Sequence, residues 1–200
     1  MKIDFFAEKA GSYEQNKGIV ENIDNIATSI LQAVKLKNTM HIMDFGSGTG
    51  LLLERISPYV GKITAVDISN SMNRQLNGKR GRLACDIEIK EIDLEKSDLE
   101  QKYNGIISSM TMHHIQNIEA MFEKFYLMLD NGGFIAISDL DREDGSFHTE
   151  DTGVFHFGFE RDEISKAALK AGFRDIDVTS TSFVHKPQGD YPVFLLTAVR

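Results

Sequence analysis

Apolar residues recur at two spacings along this 200-residue chain. Ile19, Ile23, Ile26, Ile30 and Val34 fall three or four positions apart, which draws one apolar stripe along a helix from Ile19 to Lys35. Met40 to Phe45 is a short apolar run ending in glycines and predicts a buried strand. Leu51 to Ser57 predicts a helix stopped near Pro58, because proline lacks the N–H that a helix interior needs. Lys62 to Ile68 predicts a strand, with Ser69 as N-cap of a helix through about Asn77. Ile87, Ile89 and Ile92 suggest a third strand and Gly105 to Met110 a fourth. A helix from about Ile118 to Leu129 is expected to end at Asn131-Gly132-Gly133, before a fifth strand from Phe134 to Ser138. Glu160 to Ala171 predicts a helix closed by Gly172, followed by strands at Ile176–Ser182 and Val193–Val199.

Strands and helices thus alternate through the first 140 residues, which implies an α/β fold: a parallel sheet, doubly wound with helices on both faces. Ligands of such sheets sit beyond the carboxyl ends of the strands, where strand order reverses. No internal repeat or low-complexity linker divides the chain, and 200 residues suit one domain, 1–200.

Composition narrows the function. With 42% hydrophobic and 26% charged residues the chain can bury a core, which excludes disorder. Its net charge of −8, without a basic run, argues against nucleic acid as partner, since nucleic-acid binders neutralise phosphates with Lys and Arg. The single Cys85 cannot form an internal disulfide, and no Cys/His cluster suggests a metal. No apolar run approaches the roughly 20 residues of a membrane span, and acids stand in Met1–Lys9 where a signal peptide would be apolar. The expectation is a cytoplasmic protein without a membrane partner.

Asp44-Phe45-Gly46-Ser47-Gly48-Thr49-Gly50 follows the first strand. Glycines allow a sharp turn and close approach of a ligand, and the next helix presents its N-terminus there. A dinucleotide fingerprint would have a third small residue where Leu51 stands, and the acid two residues before Gly46 suits a cation or amine better than a pyrophosphate. Asp67 ends the second strand, where a carboxylate can accept ribose hydroxyls. Asp93-Leu94 ends the third, where an acid can take an exocyclic amine and an apolar side chain can flank a base.

These segments resemble the motifs of class I S-adenosylmethionine-dependent methyltransferases. Ile42–Gly50 looks like their first motif, Ala65–Met72 the second, Ile92-Asp93-Leu94 the third, Ile106–Ile115 the fourth, and Leu129–Ile135 the turn into the fifth strand. The resemblance implies a Rossmann-like methyltransferase fold with a mostly parallel seven-stranded sheet whose last strand is antiparallel. It implies S-adenosyl-L-methionine as cofactor and S-adenosyl-L-homocysteine as product. Gly46, Ser47 and Gly48 would lie against the methionine part, with Asp44 near its amino group and the backbone of Ser109 in contact. Asp67 would hold the ribose, Ile68 and Met72 would flank the adenine, and Asp93 would accept its amine with Leu94 alongside.

The acceptor is expected to be a small molecule. The fourth motif reads Ser-Ser-Met-Thr-Met-His-His rather than the Asn/Asp-Pro-Pro-aromatic of methyltransferases acting on exocyclic or amide nitrogens, and the position of Cys85 does not suit a cytosine-C5 mechanism. His113 and His114 follow the fourth strand, and His114 is the preferred base of the two. The segment 139–159 is long for a connection and reads as a flap, offering His148 and His156 as acid/base groups and Phe155 as an apolar anchor. Its end, His156-Phe157-Gly158-Phe159-Glu160-Arg161, resembles a His-x-Gly-Phe-x-Arg pattern of a small group of such methyltransferases. Lid helices are expected at about 1–37, with Tyr13 as lid aromatic and Lys17 as a second candidate. Two other readings compete: a non-catalytic S-adenosylmethionine-binding sensor, and a nicotinamide-dependent oxidoreductase, disfavoured by Leu51 and the lack of a Tyr-x-x-x-Lys pair.

Overall fold

The structure, a computed structural model, describes residues 4–200; the first three residues of the expected lid lie outside them. Helix α1 spans Lys17–Ala33, and Asn16 starts it by accepting the N–H groups of Gly18 and Ile19. Those are two of the donors that a helix start leaves without partners. The predicted stripe buries Ile23, Ile26, Ala27 and Ile30, while Lys17 is exposed. Before α1 the chain makes turns and a single 3-10 turn at Tyr13–Gln15, so the part of the expected lid nearest the site is not a helix.

The strands are β1 (His41–Phe45), β2 (Lys62–Asp67), β3 (Asp86–Glu91), β4 (Tyr103–Ser109), β5 (Leu129–Leu140), β6 (Arg174–Lys186) and β7 (Gly189–Val199). They form one sheet in the order β3-β2-β1-β4-β5-β7-β6. β1 to β5 pair in parallel, and β7 runs antiparallel to both its neighbours, as the resemblance implied. The remaining helices are α2 (Leu51–Ile56), α3 (Asn70–Lys79), α4 (Ile118–Met128) and α5 (Arg161–Lys170).

Alternate strand residues feed two cores. Met43, Ile106 and Ile135 face one side with Phe122 and Phe125 of α4 and Ile164 of α5. Ile42, Ile107 and Ala136 face the other with Ile26 and Ile30 of α1 and Leu53 and Ile56 of α2. Each of the larger apolar side chains among these contributes about 1.5–3 kcal/mol on burial. A central strand covered on both faces has no polar side to show, which is why these segments read as apolar runs.

Two expectations are corrected. Helix α4 stops at Met128 rather than at the glycines: Leu129 is already extended and pairs with Tyr103 of β4, both fully buried. Burying Leu129 against the sheet outweighs another helical turn, and Asn131-Gly132-Gly133 instead shapes the irregular entrance to β5, with Gly132 at φ +77°. The last two strands are also longer than the pattern suggested, running as a hairpin to the Lys186↔Gly189 pair. β6 is a sheet edge, and much of its length is solvated, so apolar alternation marks only part of it.

The chain travels outward from β1 to β2 and β3, then crosses to β4 on the other side of β1. The carboxyl ends of β1 and β4 therefore flank the switch point. The flap, 139–159, leaves β5 beside them. Its ends are zipped: Phe159 N–H donates to Leu140 O at 2.9 Å, Arg142 N–H to Phe159 O at 3.0 Å and Glu143 N–H to Phe157 O at 3.0 Å. Gly158 (φ +66°) permits this, since a Cβ there would lie 2.1 Å from Asp141 O. Arg161 locks the base with two bonds to the Asp141 carboxylate, at 2.8 and 2.7 Å. Among the described residues no helix is long and apolar enough to cross a membrane.

Candidate functional site

The loop after β1 folds back on β2, with Gly46 and Ser47 N–H both donating to Val66 O, at 2.8 and 3.1 Å. Gly46, Gly48 and Gly50 all adopt left-handed backbone. Their surroundings differ. A Cβ on Gly46 would lie 2.1 Å from Thr111 Oγ1 and one on Gly50 2.5 Å from Leu76 Cδ1, whereas Gly48 faces open space. Gly46 and Gly50 are therefore close-approach positions of the fold, and Gly48 is the part of the cradle that a ligand can reach.

Asp67 ends β2 and organises the loop. One carboxylate oxygen accepts Gly48 N–H at 2.7 Å, and the other accepts Ser69 N–H at 2.8 Å. Burial nevertheless pushes its pKa upward, because those bonds offset only part of the desolvation. Asp44, in register with Ala65 and Ile107, is fully buried; burial and then the charge of Asp67 raise its pKa to about 8. Among the described residues, Asp44 Oδ2, Ser47 Oγ and Ser109 Oγ are buried without hydrogen-bond partners, whereas the Thr49 hydroxyl faces Glu14. Three such atoms where the loop meets the end of β4 mark a place prepared for a polar group, since buried polar atoms are otherwise nearly always paired. Met110 adds a left-handed backbone (φ +54°) unusual for a non-glycine residue where β4 turns away.

Further out, Ile68 is 59% exposed, while Met72 and Leu94 are buried. Asp93 accepts Glu95 N–H at 3.1 Å and Lys96 Nζ at 2.8 Å, so its carboxylate shapes the turn after β3. The N-terminal segment crosses above. Asp4 accepts the hydroxyls of Ser69 and Ser71, each at 2.8 Å, and Ser71 N–H at 3.1 Å, pinning that segment to the start of α3. Tyr13 is half-buried and close enough to Asp67 that burial, then that carboxylate, raises its pKa.

The expected histidines are placed differently from one another. His156 is committed to structure: its Nε2–H donates to Ile115 O at 2.9 Å and its ring packs 5.1 Å from Phe159. His114 donates from Nδ1 to Gly153 O at 3.3 Å, and burial, then the charge of His113, lowers its pKa to about 4. His148 lies 5.2 Å from His113 between ring centroids and 6.0 Å from His114. Burial and then those two histidines also bring it down to about 4. Phe155 is 56% exposed, and its N–H donates to His113 O at 2.9 Å. Sequence reasoning passed over the pair at the centre: His113 Nδ1 lies 2.7 Å from Asp139 Oδ1, both buried, and His113 N–H donates to Asp139 Oδ2 at 3.2 Å. Burial opposes charge on Asp139, but His113 and these bonds prevail and lower its pKa, so it stays a carboxylate. The signal that finds Asp139 is the one used for Asp44, Asp67 and Asp93: an acid at a strand end, here the fifth.

A family model for the methyltransferase domain matches residues 19–178. An uncharacterized methyltransferase of Schizosaccharomyces pombe is 27% identical over 78% of this chain and 55% of its own. A malonyl-acyl-carrier-protein O-methyltransferase of Geobacter sulfurreducens is 26% identical over 98% of this chain and 78% of its own. The magnesium protoporphyrin IX methyltransferase of Synechocystis, solved with bound S-adenosylhomocysteine, superposes with a TM-score of 0.69 at 20% identity, over 92% of this chain and 83% of that one. The chain spans about half the length, or less, of the first curated relatives that it matches.

Proposed function

The chain belongs to the methyltransferase-domain family, and on that premise we propose that it binds S-adenosyl-L-methionine and transfers the methyl group to a small-molecule acceptor. The observation that carries this reading is the group of buried atoms at the switch point without a partner among the described residues: Asp44 Oδ2, Ser47 Oγ and Ser109 Oγ, beside the open face of Gly48. These residues fit an amino-acid moiety bearing positive charge. When bound, the cofactor supplies a methyl carbon on a cationic sulfur, displaced in line by the acceptor's electron pair while the carbon–sulfur pair stays on sulfur.

In this reading the chain's own groups bind, orient and exclude water. Asp44 meets the ammonium group, and Ser47, Gly48 and the backbone of Ser109 line the methionine part, while Gly46, closed off by Thr111, shapes the turn beneath them. Asp67 keeps lone pairs free beyond its two backbone bonds, enough for ribose hydroxyls. Ile68 and Met72 flank the adenine, and Asp93 with Leu94 meets its edge. A bound cation returns Asp44 to its ionised form, so the acids around the loop are stabilised by the ligand they recognise. Tyr13 and Phe155 act as lid groups that keep water from the transferred carbon, which alignment and exclusion of solvent both require.

Calorimetry tests this reading. S-adenosylhomocysteine is expected to bind and NAD is not; tight NAD binding without S-adenosylhomocysteine binding would falsify it. A labelled-methyl screen over metabolite pools then seeks the acceptor.

A further inference from the structure

Three imidazoles meet where β4, β5 and the flap converge. Ring centroids of His113 and His114 are 4.3 Å apart, and His148 stands 5.2 Å from His113. Asp139 lies behind His113 with no exposure to solvent. A carboxylate at 2.7 Å fixes the ring proton of His113 on Nδ1, which leaves Nε2 as a bare acceptor with no hydrogen bond from any described residue. His148 has the complementary arrangement. Its Nδ1 lies 3.1 Å from Thr152 Oγ1, and its Nε2 is buried without a partner among the described residues. With the Thr152 hydroxyl donating to Nδ1, His148 Nε2 carries a hydrogen to donate.

Aromatic rings stand beside these imidazoles, with the Glu143 carboxylate behind Phe147, whose N–H it accepts at 3.0 Å. Phe6 lies edge-on to His114 at 5.8 Å and Phe147 to His148 at 4.8 Å. Lys186, the cation beside them, is committed to the carbonyl and ring face of Phe147. A carboxylate acceptor finds no free cation among the described residues here. A neutral amine attacks with the electron pair it already has and sheds its proton only after the new bond has formed, so its attack needs no base. A hydroxyl must lose its proton as it attacks, and a base oriented by a carboxylate serves that purpose.

We propose that His113 and His148 form the acceptor subsite for a hydroxyl on an aromatic ring. His113 Nε2 takes the hydroxyl proton, His148 Nε2–H holds the oxygen, and Asp139 is the positioning residue behind His113. The inference rests on the methyl-transfer reading. Its proton balance is closed: the O–H hydrogen moves to His113, the resulting imidazolium faces the Asp139 carboxylate, and the electron pair left on oxygen makes the new bond to carbon.

The test uses phenol and its methyl ether, anisole, against protein carrying ¹⁵N-labelled histidine and saturated with S-adenosylhomocysteine. Phenol is expected to shift the ring-nitrogen signals of His113 and His148, and anisole to bind at least tenfold more weakly. His148→Gln should weaken phenol at least tenfold and leave S-adenosylhomocysteine within twofold. Asp139→Asn should move the His113 proton off Nδ1 and weaken phenol similarly. Anisole binding as well as phenol, or phenol binding unchanged in His148→Gln, overturns the subsite without any reliance on the buried Asp139 variant. If S-adenosylhomocysteine fails to bind the unaltered protein, the methyl-transfer reading falls instead, and the phenol arm repeated alone still decides whether the pocket recognises a hydroxyl.

Discussion

Asp44 is a carboxyl that the ligand-free fold can hardly keep ionised. Its pKa stands near 8, chiefly through burial, against an ordinary 3.8. The unfolded chain releases this proton near pH 4 and the folded chain near pH 8, so its contribution to stability is complete below pH 4 and is lost as pH rises through 8. Asp44→Asn removes that loss. The variant's melting temperature without ligand should exceed that of the parent at pH 8, with a smaller gain at pH 5. Its affinity for S-adenosylhomocysteine should fall by about 1–3 kcal/mol, the range for losing a charged hydrogen bond. A variant less stable at pH 8 and unchanged in affinity would mean that Asp44 serves packing rather than a cation.

At the scale of elements, the glycine loop separates fold from ligand. Gly46 and Gly48 share the left-handed backbone, which costs a non-glycine residue roughly 1–2 kcal/mol. Only at Gly46 does a methyl group also run into Thr111. Chemical denaturation should therefore find Gly46→Ala more destabilised than Gly48→Ala, while calorimetry should find the larger loss of S-adenosylhomocysteine affinity per unit of stability in Gly48→Ala. Equal ratios in the two variants would remove the distinction. The N-terminal segment makes a second case. Asp4 accepts from Phe6 N–H as well as from Ser69 and Ser71, so one carboxylate ties this segment to the loops below it. Asp4→Ala should speed amide exchange at Lys9, Ala10 and Ser12 and speed dissociation of S-adenosylhomocysteine; an unchanged dissociation rate would show that the segment is no lid.

The same elements show what a sequence discloses. β1, β2, β4 and β5 are covered on both faces, so burial wrote their positions in apolar runs, and the glycine loop and Asp67 followed from strand ends. β6 was only partly legible because an edge strand keeps polar side chains in water. The end of α4 fell within one residue of its expected place, but the buried Leu129 of β5 follows it directly, and the glycines stand inside that strand. Asp139 was grouped with the flap's many acids, and only its place at the end of β5 sets it apart from solvated ones such as Asp144. Its partner lies 26 residues earlier, and only the pairing of β4 with β5 brings them together.

For the whole molecule, these buried groups oppose one another across the pH scale. His114 and His148 have folded pKa values of about 4 against an ordinary 6.5, so the unfolded chain takes up their protons first and stability falls as pH drops from 6.5 to 4. Asp44 acts in the other sense, removing stability from pH 4 up to 8. Each proton is worth about 1.4 kcal/mol per pH unit within its window, and His148, the less buried of the two histidines, contributes the smaller share. Below pH 6.5 these histidines, joined by His41, whose pKa burial also lowers, oppose the raised carboxyls of Asp44 and Asp67; above it the raised carboxyls act without them. Ligand-free protein should accordingly melt highest near pH 6.5. Saturation with S-adenosylhomocysteine, whose ammonium would keep Asp44 ionised, should abolish much of the alkaline decline and move the maximum toward pH 8, leaving the acid limb in place. Melting curves collected from pH 4 to 9 with and without ligand read this directly. A uniform rise at every pH, with no movement of the maximum, would separate the ligand from Asp44 and place its positive charge elsewhere.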